Sequence, residues 1–243
     1  MGAKGRFGVD VVRRGVAQAA LVASGLSMAA TAVAASFPAA PVRRCAPDAV
    51  MAGPACLDRY EASVWRVPNP TTTNAALVQR IRLGRTTLAD LKAGGATQLG
   101  VIATDDYAPC ADSGQNCAGD IYAVSLPGVF PSANLTWFQA QAACTNAGKR
   151  LPSNAEWQAA VDMVGNVAEY VADWVPPSTT CGVWTAGISP TDINCLRGAA
   201  ETGEPDVLTR GGEFLLGPFA GPFAVTPVTP SLSLDILGFR CAR

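Results

Sequence analysis

Apolar residues recur at helical spacing most clearly over Thr136 to Val161, where two start signals and a stop can be read. Thr136-Trp137-Phe138-Gln139 fits a capping box, in which the Thr hydroxyl accepts from the third helical amide and the Gln side chain reaches back. Trp137, Ala140, Cys144 and Ala147 then share one stripe, and Gly148 supplies the stop. Ser153-Asn154-Ala155-Glu156 is a second capping box, predicting a helix with Trp157, Ala160 and Val161 inward. Two helices joined by Lys149-Arg150-Leu151-Pro152 follow from this pattern.

Elsewhere the pattern is shorter. Leu57 to Trp65 alternates loosely and reads as a strand, and Pro68-Asn69-Pro70 with the Thr and Asn residues after it reads as a loop. Thr87 caps a short predicted helix over Leu88 to Lys92, closed by Gly94-Gly95. Asp105 to Gly119 is polar and reads as a surface loop pinned by Cys110 and Cys117. Ile121 to Val124 predicts another strand, and Pro127 to Pro131 a turn. From Asp162 on, Pro, Gly and Ser are scattered among short apolar runs, which suits strands and loops.

The first residues have a different logic. Lys4, Arg6, Arg13 and Arg14 precede an uncharged Ala-, Val- and Leu-rich run from Gly15 to Ala34 that closes on Ala32-Val33-Ala34. A basic start, an apolar stretch and a small-residue cleavage site are the parts of a secretory signal over 1–34. Residues 35–55 then form an N-terminal segment, and 56–243 the predicted domain. Export places the protein in the periplasm, at the cell surface or in the medium. An uncleaved leader is the one route to a membrane.

Net charge is −1 and the leader carries +3, leaving about −4 on the remainder. With no basic run, nucleic acid is not an expected partner. All eight cysteines follow the leader, an even number that in an exported chain predicts four disulfides. Spacing does not determine connectivity, but proximity suggests Cys45–Cys56, Cys110–Cys117 and Cys181–Cys195, which leaves Cys144 and Cys241. The chain has no histidine. Ser-His-Asp, Cys-His and histidine-ligated zinc or iron chemistries therefore lack an essential group.

Four blocks carry a resemblance. The run from Thr136-Trp137 through Ala142-Ala143-Cys144 and Gly148-Lys149-Arg150-Leu151-Pro152-Ser153-Asn154-Ala155-Glu156-Trp157 resembles the central signature of the formylglycine-generating enzyme (sulfatase-modifying factor) family. Asp162 to Tyr170 resembles the next block, with Ala168 and Tyr170 where tryptophans are usual. Arg210-Gly211-Gly212 and Gly238-Phe239-Arg240-Cys241-Ala242 resemble the last two. The resemblance implies an α+β fold of the C-type-lectin-like kind, with two helices, short antiparallel strands and much irregular structure. It also implies a Cys144–Cys241 bridge.

The same resemblance marks two departures. Family enzymes bind copper through two cysteines shortly after the Gly-Gly pair, and the matching positions here are Leu216 and Gly221. Neither replaces a thiolate as metal ligand or redox centre. Relatives using non-haem iron need histidine. No copper or iron is expected, nor catalysis of either kind; the competing reading is an oxidoreductase of this type whose chemistry has moved to other residues. A long segment that contributes to a calcium site in the family is also missing, since Val161 runs directly into Asp162. The remaining implied calcium donors are the Asp162 and Glu169 side chains with the Gly165 and Val167 carbonyls. The bland reading of that stretch is a tight turn with its acids in solvent.

Phe214 to Leu237 is apolar and Pro-rich, with Asp235 its only charge. Ala220 to Val225 reads as buried loop and strand. Phe214, Leu215, Leu216, Thr226, Val228, Thr229, Leu232 and Leu234 occupy positions where the family places substrate-facing loops, so a protein or cell-surface ligand is the expected partner. The window contains no Met, Trp, Lys, Gln or Glu. Those are the residues that codons ending in C within an N-N-C scheme cannot encode, and adenine-directed hypermutation in diversity-generating retroelements leaves that set. The variable proteins of such elements resemble this fold, with variation just before the C-terminus. An Ala- and Pro-rich chain avoiding five residue types over a short window is the plainer explanation.

Overall fold

A computed structural model describes residues 44–101, 106–117, 119–160, 165–175 and 205–243. These residues form one compact unit of mixed α+β architecture. A hairpin of β1 (Ala49–Ala52) and β2 (Ala55–Asp58) opens it. Next come β3 (Ala62–Arg66), α1 (Ala75–Arg82), α2 (Leu88–Ala93), β4 (Thr97–Leu99) and β5 (Ile121–Ser125). Helices α3 (Trp137–Asn146) and α4 (Asn154–Gln158) follow, then β6 (Ala168–Val175), β7 (Asp206–Gly211), β8 (Gly221–Val228) and β9 (Leu237–Phe239).

The strands make an antiparallel sheet in the order β4-β3-β5 and a four-stranded sheet in the order β8-β7-β6-β9. Among the described residues only β9 runs parallel to its neighbour, pairing Leu237 with Ala168 and Phe239 with Tyr170. That pairing returns the chain end to the middle of the molecule. The tail then threads between β2 and the α3–α4 link: Arg150 and Ala242 exchange both backbone hydrogen bonds, and so do Cys56 and Arg243.

Both helical caps form as the sequence predicts. Thr136 Oγ1 accepts from the Gln139 amide and Gln139 Oε1 accepts from the Thr136 amide, at 3.3 and 2.9 Å. Ser153 and Glu156 repeat the arrangement at α4, and Thr87 with Asp90 at α2. Ala140, Ala143, Cys144 and Ala147 are buried in the main core with Leu135, Leu151, Tyr170 and Phe239. A smaller cluster gathers Leu57, Trp157, Val171, Leu208 and Ala242.

Two expectations need correction. Leu57 to Trp65 is not one strand: it breaks at Arg59 to Glu61, because the Arg59 amide turns to the Asp48 carbonyl and the Tyr60 amide to Ser125 Oγ. Residues 68–74 form the expected loop, and α1 (Ala75–Arg82), which the pattern did not mark, follows it and buries Leu77, Val78 and Ile81. Ala220 to Val225 is not buried as a whole: Ala224 is, whereas Phe223 stands 76% exposed.

Disulfides join Cys45 to Cys56, Cys110 to Cys117 and Cys144 to Cys241. The last ties the final turn of α3 to the segment after β9. Bridges of this kind persist in an oxidising environment. The suggested Cys181–Cys195 pair, the leader and Val161 lie outside the described residues. Among the described residues no helix is long and apolar enough to cross a membrane.

Beneath the tail lies a buried ionic cluster. Lys149 Nζ is fully buried, 2.7 Å from Asp58 and 3.1 Å from Asp48, and Arg243 holds the other side of Asp48 at 2.8 Å. Burial pushes the Asp58 carboxyl up, against the pull of Lys149. An ion group this deep adds its Coulomb energy only while every member keeps its partner.

Candidate functional site

The surface built by β7, β8 and the turn between them starts from one arginine. Arg210, at the end of β7, is buried, and its guanidinium lies 4.9 Å from the centre of the Trp157 ring. It donates to the carbonyls of Pro222 (2.9 Å) and Ala224 (3.1 Å), to that of Phe223 at 3.5 Å, and to Gln158 Oε1. Burial draws its pKa below the usual arginine value, yet an arginine remains charged in proteins. A planar fork of donors suits this task, because it takes several carbonyls at once. The start of β8 is thereby pulled inward by its backbone while the Phe223 side chain is left outside.

The turn itself is held the same way. Gly211 and Gly212 both have positive φ, 86° and 71°, and a Cβ on Gly212 would stand 2.8 Å from Ala220 Cα, so the turn folds back on itself at a glycine. Glu213 Oε2 accepts from the amides of Leu215 (2.6 Å) and Leu216 (3.0 Å). The Phe214 amide donates to the Asn166 carbonyl at 3.1 Å, and Asn166 Nδ2 donates to Glu61 Oε2. A 3₁₀ turn over Gly217–Phe219 completes the connection.

On this fixed backbone the apolar side chains point to solvent. Phe214 is 61% exposed, Leu215 70% and Phe219 61%. Of the remaining residues expected to face a ligand, Thr226, Thr229 and Leu234 are exposed and Leu216 is half-buried. Val228 and Leu232 pack in part against the main core instead, and the Leu232 carbonyl accepts from Tyr170 Oη at 2.7 Å. Leu216 and Gly221, the positions matching the family's copper cysteines, sit at the turn and at the first residue of β8.

Two residues outside that window complete the surface, and the sequence reading missed both. Phe130 is 79% exposed and Val101 is exposed. With Phe214, Asn166 and Asp235 they line a cavity of about 450 Å³. Phe130, Pro131 and Asn166 also form the rim shared with a neighbouring cavity of about 510 Å³ that holds Arg59, Glu61 and Arg240. The available signal was an aromatic inside a Pro–Gly turn, where turn chemistry does not ask for one.

The residues proposed for calcium are divided. Asp162 lies outside the described residues. Glu169 is buried; its Oε1 accepts from Arg240 Nε at 2.7 Å and its Oε2 from Trp157 Nε1 at 2.8 Å. Burial raises its pKa while Arg240 lowers it. Gly165 has φ 86° and Val167 donates its amide to Glu61, a long contact of 3.4 Å. Among the described residues, no three acidic or sulfur side chains gather where a metal ion would fit.

No protein-family model matches the chain, and no curated protein matches it. Among solved structures it is similar to the Major Tropism Determinant P3c variant, at 13% identity and a TM-score of 0.35 over 63% of this chain and 46% of that one. The Major Tropism Determinant U1 and M1 variants match over the same shares at 12% identity and a TM-score of 0.34. The chain spans just under half the length of these three structures.

Proposed function

We propose that this protein is an exported, non-catalytic binding module on a C-type-lectin-like scaffold of the formylglycine-generating type, presenting the Phe214–Leu237 segment to a protein or cell-surface ligand. The carrying observation is the contrast at the β7–β8 turn. Its backbone is tied by Arg210, Gly212, Glu213 and Asn166, while Phe214, Leu215, Phe219 and Phe223 are exposed. Large apolar side chains gathered at a surface mark an interaction site, and fixing them in advance lowers the entropy lost on binding. Leu216 and Gly221 supply no thiolate for copper, so gripping without turnover is the chemistry that remains. The codon-limited composition of the window supports diversification by a retroelement. A calcium ion near Asp162 would be a structural addition to this reading, and Glu169 already spends both oxygens.

The test is binding of fluorescently labelled protein to a panel of bacterial and eukaryotic whole cells, read by flow cytometry. Replacing Leu215, Phe219 and Phe223 together by serine is expected to abolish binding to the cells that the parent protein labels, with unchanged thermal stability. Equal labelling by parent and variant refutes the surface. Copper-loaded protein that consumes oxygen with a cysteine-containing peptide refutes the non-catalytic assignment.

A further inference from the structure

Resting on that reading, we infer that the cavity lined by Val101, Phe130, Asn166, Phe214 and Asp235 is a subsite for a cationic side chain, arginine or lysine, of the protein partner. Val101, Phe130, Pro131 and Phe214 give the walls an apolar and aromatic character beside the neutral amides of Asn134 and Asn166, and the cavity's one acidic group is Asp235. Asp235 is exposed and, among the described residues, makes no ion pair. Two phenylalanine rings beside an unpaired carboxylate match one kind of occupant: a long alkyl stem that lies on the rings and ends in a positive charge. A carboxylate would meet Asp235 with like charge, and a purely aliphatic side chain would gain nothing from it.

The cavity is also built rather than incidental. Gly100 has φ 68°, and a Cβ there would stand 2.1 Å from Tyr107 Oη and 2.2 Å from the Ala133 carbonyl, so this wall admits only glycine. The Ala133 amide donates to the Gly100 carbonyl and the Asn134 amide to the Leu234 carbonyl, both at 3.0 Å. These bonds fix the strand end, the Pro131–Asn134 segment and the Asp235 turn against one another. Phe214 is fixed through the Asn166 carbonyl. An occupant therefore meets a preformed slot of about 450 Å³.

The experiment titrates isotopically labelled full chain with acetyl-arginine amide, acetyl-norleucine amide and acetyl-glutamate amide, following backbone amide shifts by NMR. The arginine compound is expected to shift Val101, Asn166, Phe214 and Asp235 saturably. It should bind about two- to fivefold more tightly than the uncharged norleucine compound, the range for one solvent-exposed ion pair. Asp235→Asn, at an exposed position, should remove that preference with no change in thermal midpoint. Equal or tighter binding of the norleucine or glutamate compound overturns the inference. So does a preference that survives Asp235→Asn, an absence of shifts, or shifts that map elsewhere. The cell-labelling variants leave Phe214 and Asp235 intact, so the two readings fail separately. Loss of labelling without an arginine preference removes this subsite alone; an arginine preference with unchanged labelling removes the proposed surface alone.

Discussion

Replacing Arg210 by methionine isolates what holds the presented surface in place. The stem volume is kept and the fork of donors is lost. The Pro222 and Ala224 carbonyls then lose contacts of 2.9 and 3.1 Å, and Ala224 is buried where water does not reach it easily. Two charge-assisted hydrogen bonds contribute about 1.5–3 kcal/mol each, and relief of the buried cation's desolvation offsets part of that. The net loss expected is about 2–4 kcal/mol, or about 5–15 °C in melting temperature for a domain of this size. The loss should also be local. Amide exchange over residues 221–226 should rise well before the β4-β3-β5 sheet is affected, and a protease should cut within 213–223. Arg210→Lys keeps the charge but offers a compact ammonium, and should recover only part of the protection. A variant that melts within about 1 °C of the parent and shows unchanged exchange at 221–226 would refute the anchoring role.

Other perturbations test the frame beneath. Lys149→Met leaves the Asp58 carboxylate buried without its cation, which should cost about 3–5 kcal/mol by urea unfolding, and adding Asp58→Asn should recover part of it. Removing the Cys144–Cys241 bridge by double alanine substitution opens a loop spanning 97 residues and should cost ~4–5 kcal/mol, read by the same unfolding. The Arg150 guanidinium beside Glu156, with the Ser153 amide, holds the Glu156 carboxyl at about 2, below its ordinary value of 4.5. A depressed acid adds stability that is present above pH 4.5 and is lost as pH falls toward 2. Glu156→Gln should flatten the stability profile across that window.

What was legible in the chain was local. Thr136 with Gln139, Ser153 with Glu156, and Thr87 announced helix starts because a capping side chain and the amides it serves lie within three residues. Helix α1 gave no such notice. Asn74 makes no side-chain cap, and the helix emerges from a run of Pro, Thr and Asn. The break at Arg59 to Glu61 depends on Asp48 and Ser125, which no short window contains. The site was half legible for the same reason. An apolar, nearly uncharged window near the chain end was visible, but the outward turn of Phe223 follows from carbonyls captured by Arg210, and the pocket needs Val101 and Phe130 from distant segments. Arg210 itself stood in view only as part of an Arg-Gly-Gly block.

The proposed diversification makes a positional demand that the structure can be held to. Side chains at 210, 212 and 213 carry the turn: one guanidinium, one position closed to a Cβ, one carboxylate capping two amides. Side chains at 214, 215, 219 and 223 are exposed, and none of them forms part of that scaffold of bonds. Substitution at the first group should cost kilocalories; at the second it should stay within about 0.5 kcal/mol either way. The composition-limited window begins at Phe214, immediately after Glu213, the last residue whose side chain holds the turn. Natural variants of the gene should therefore differ at 214, 215, 219 and 223, keep Arg210, Gly212 and Glu213, and retain apolar residues at Ala224, Val228 and Leu232, which touch the interior. Sequencing the locus from independent isolates decides the matter. Variation spread evenly through 205–237, or concentrated on 210–213, would mean that the backbone anchors were never a platform for changing side chains.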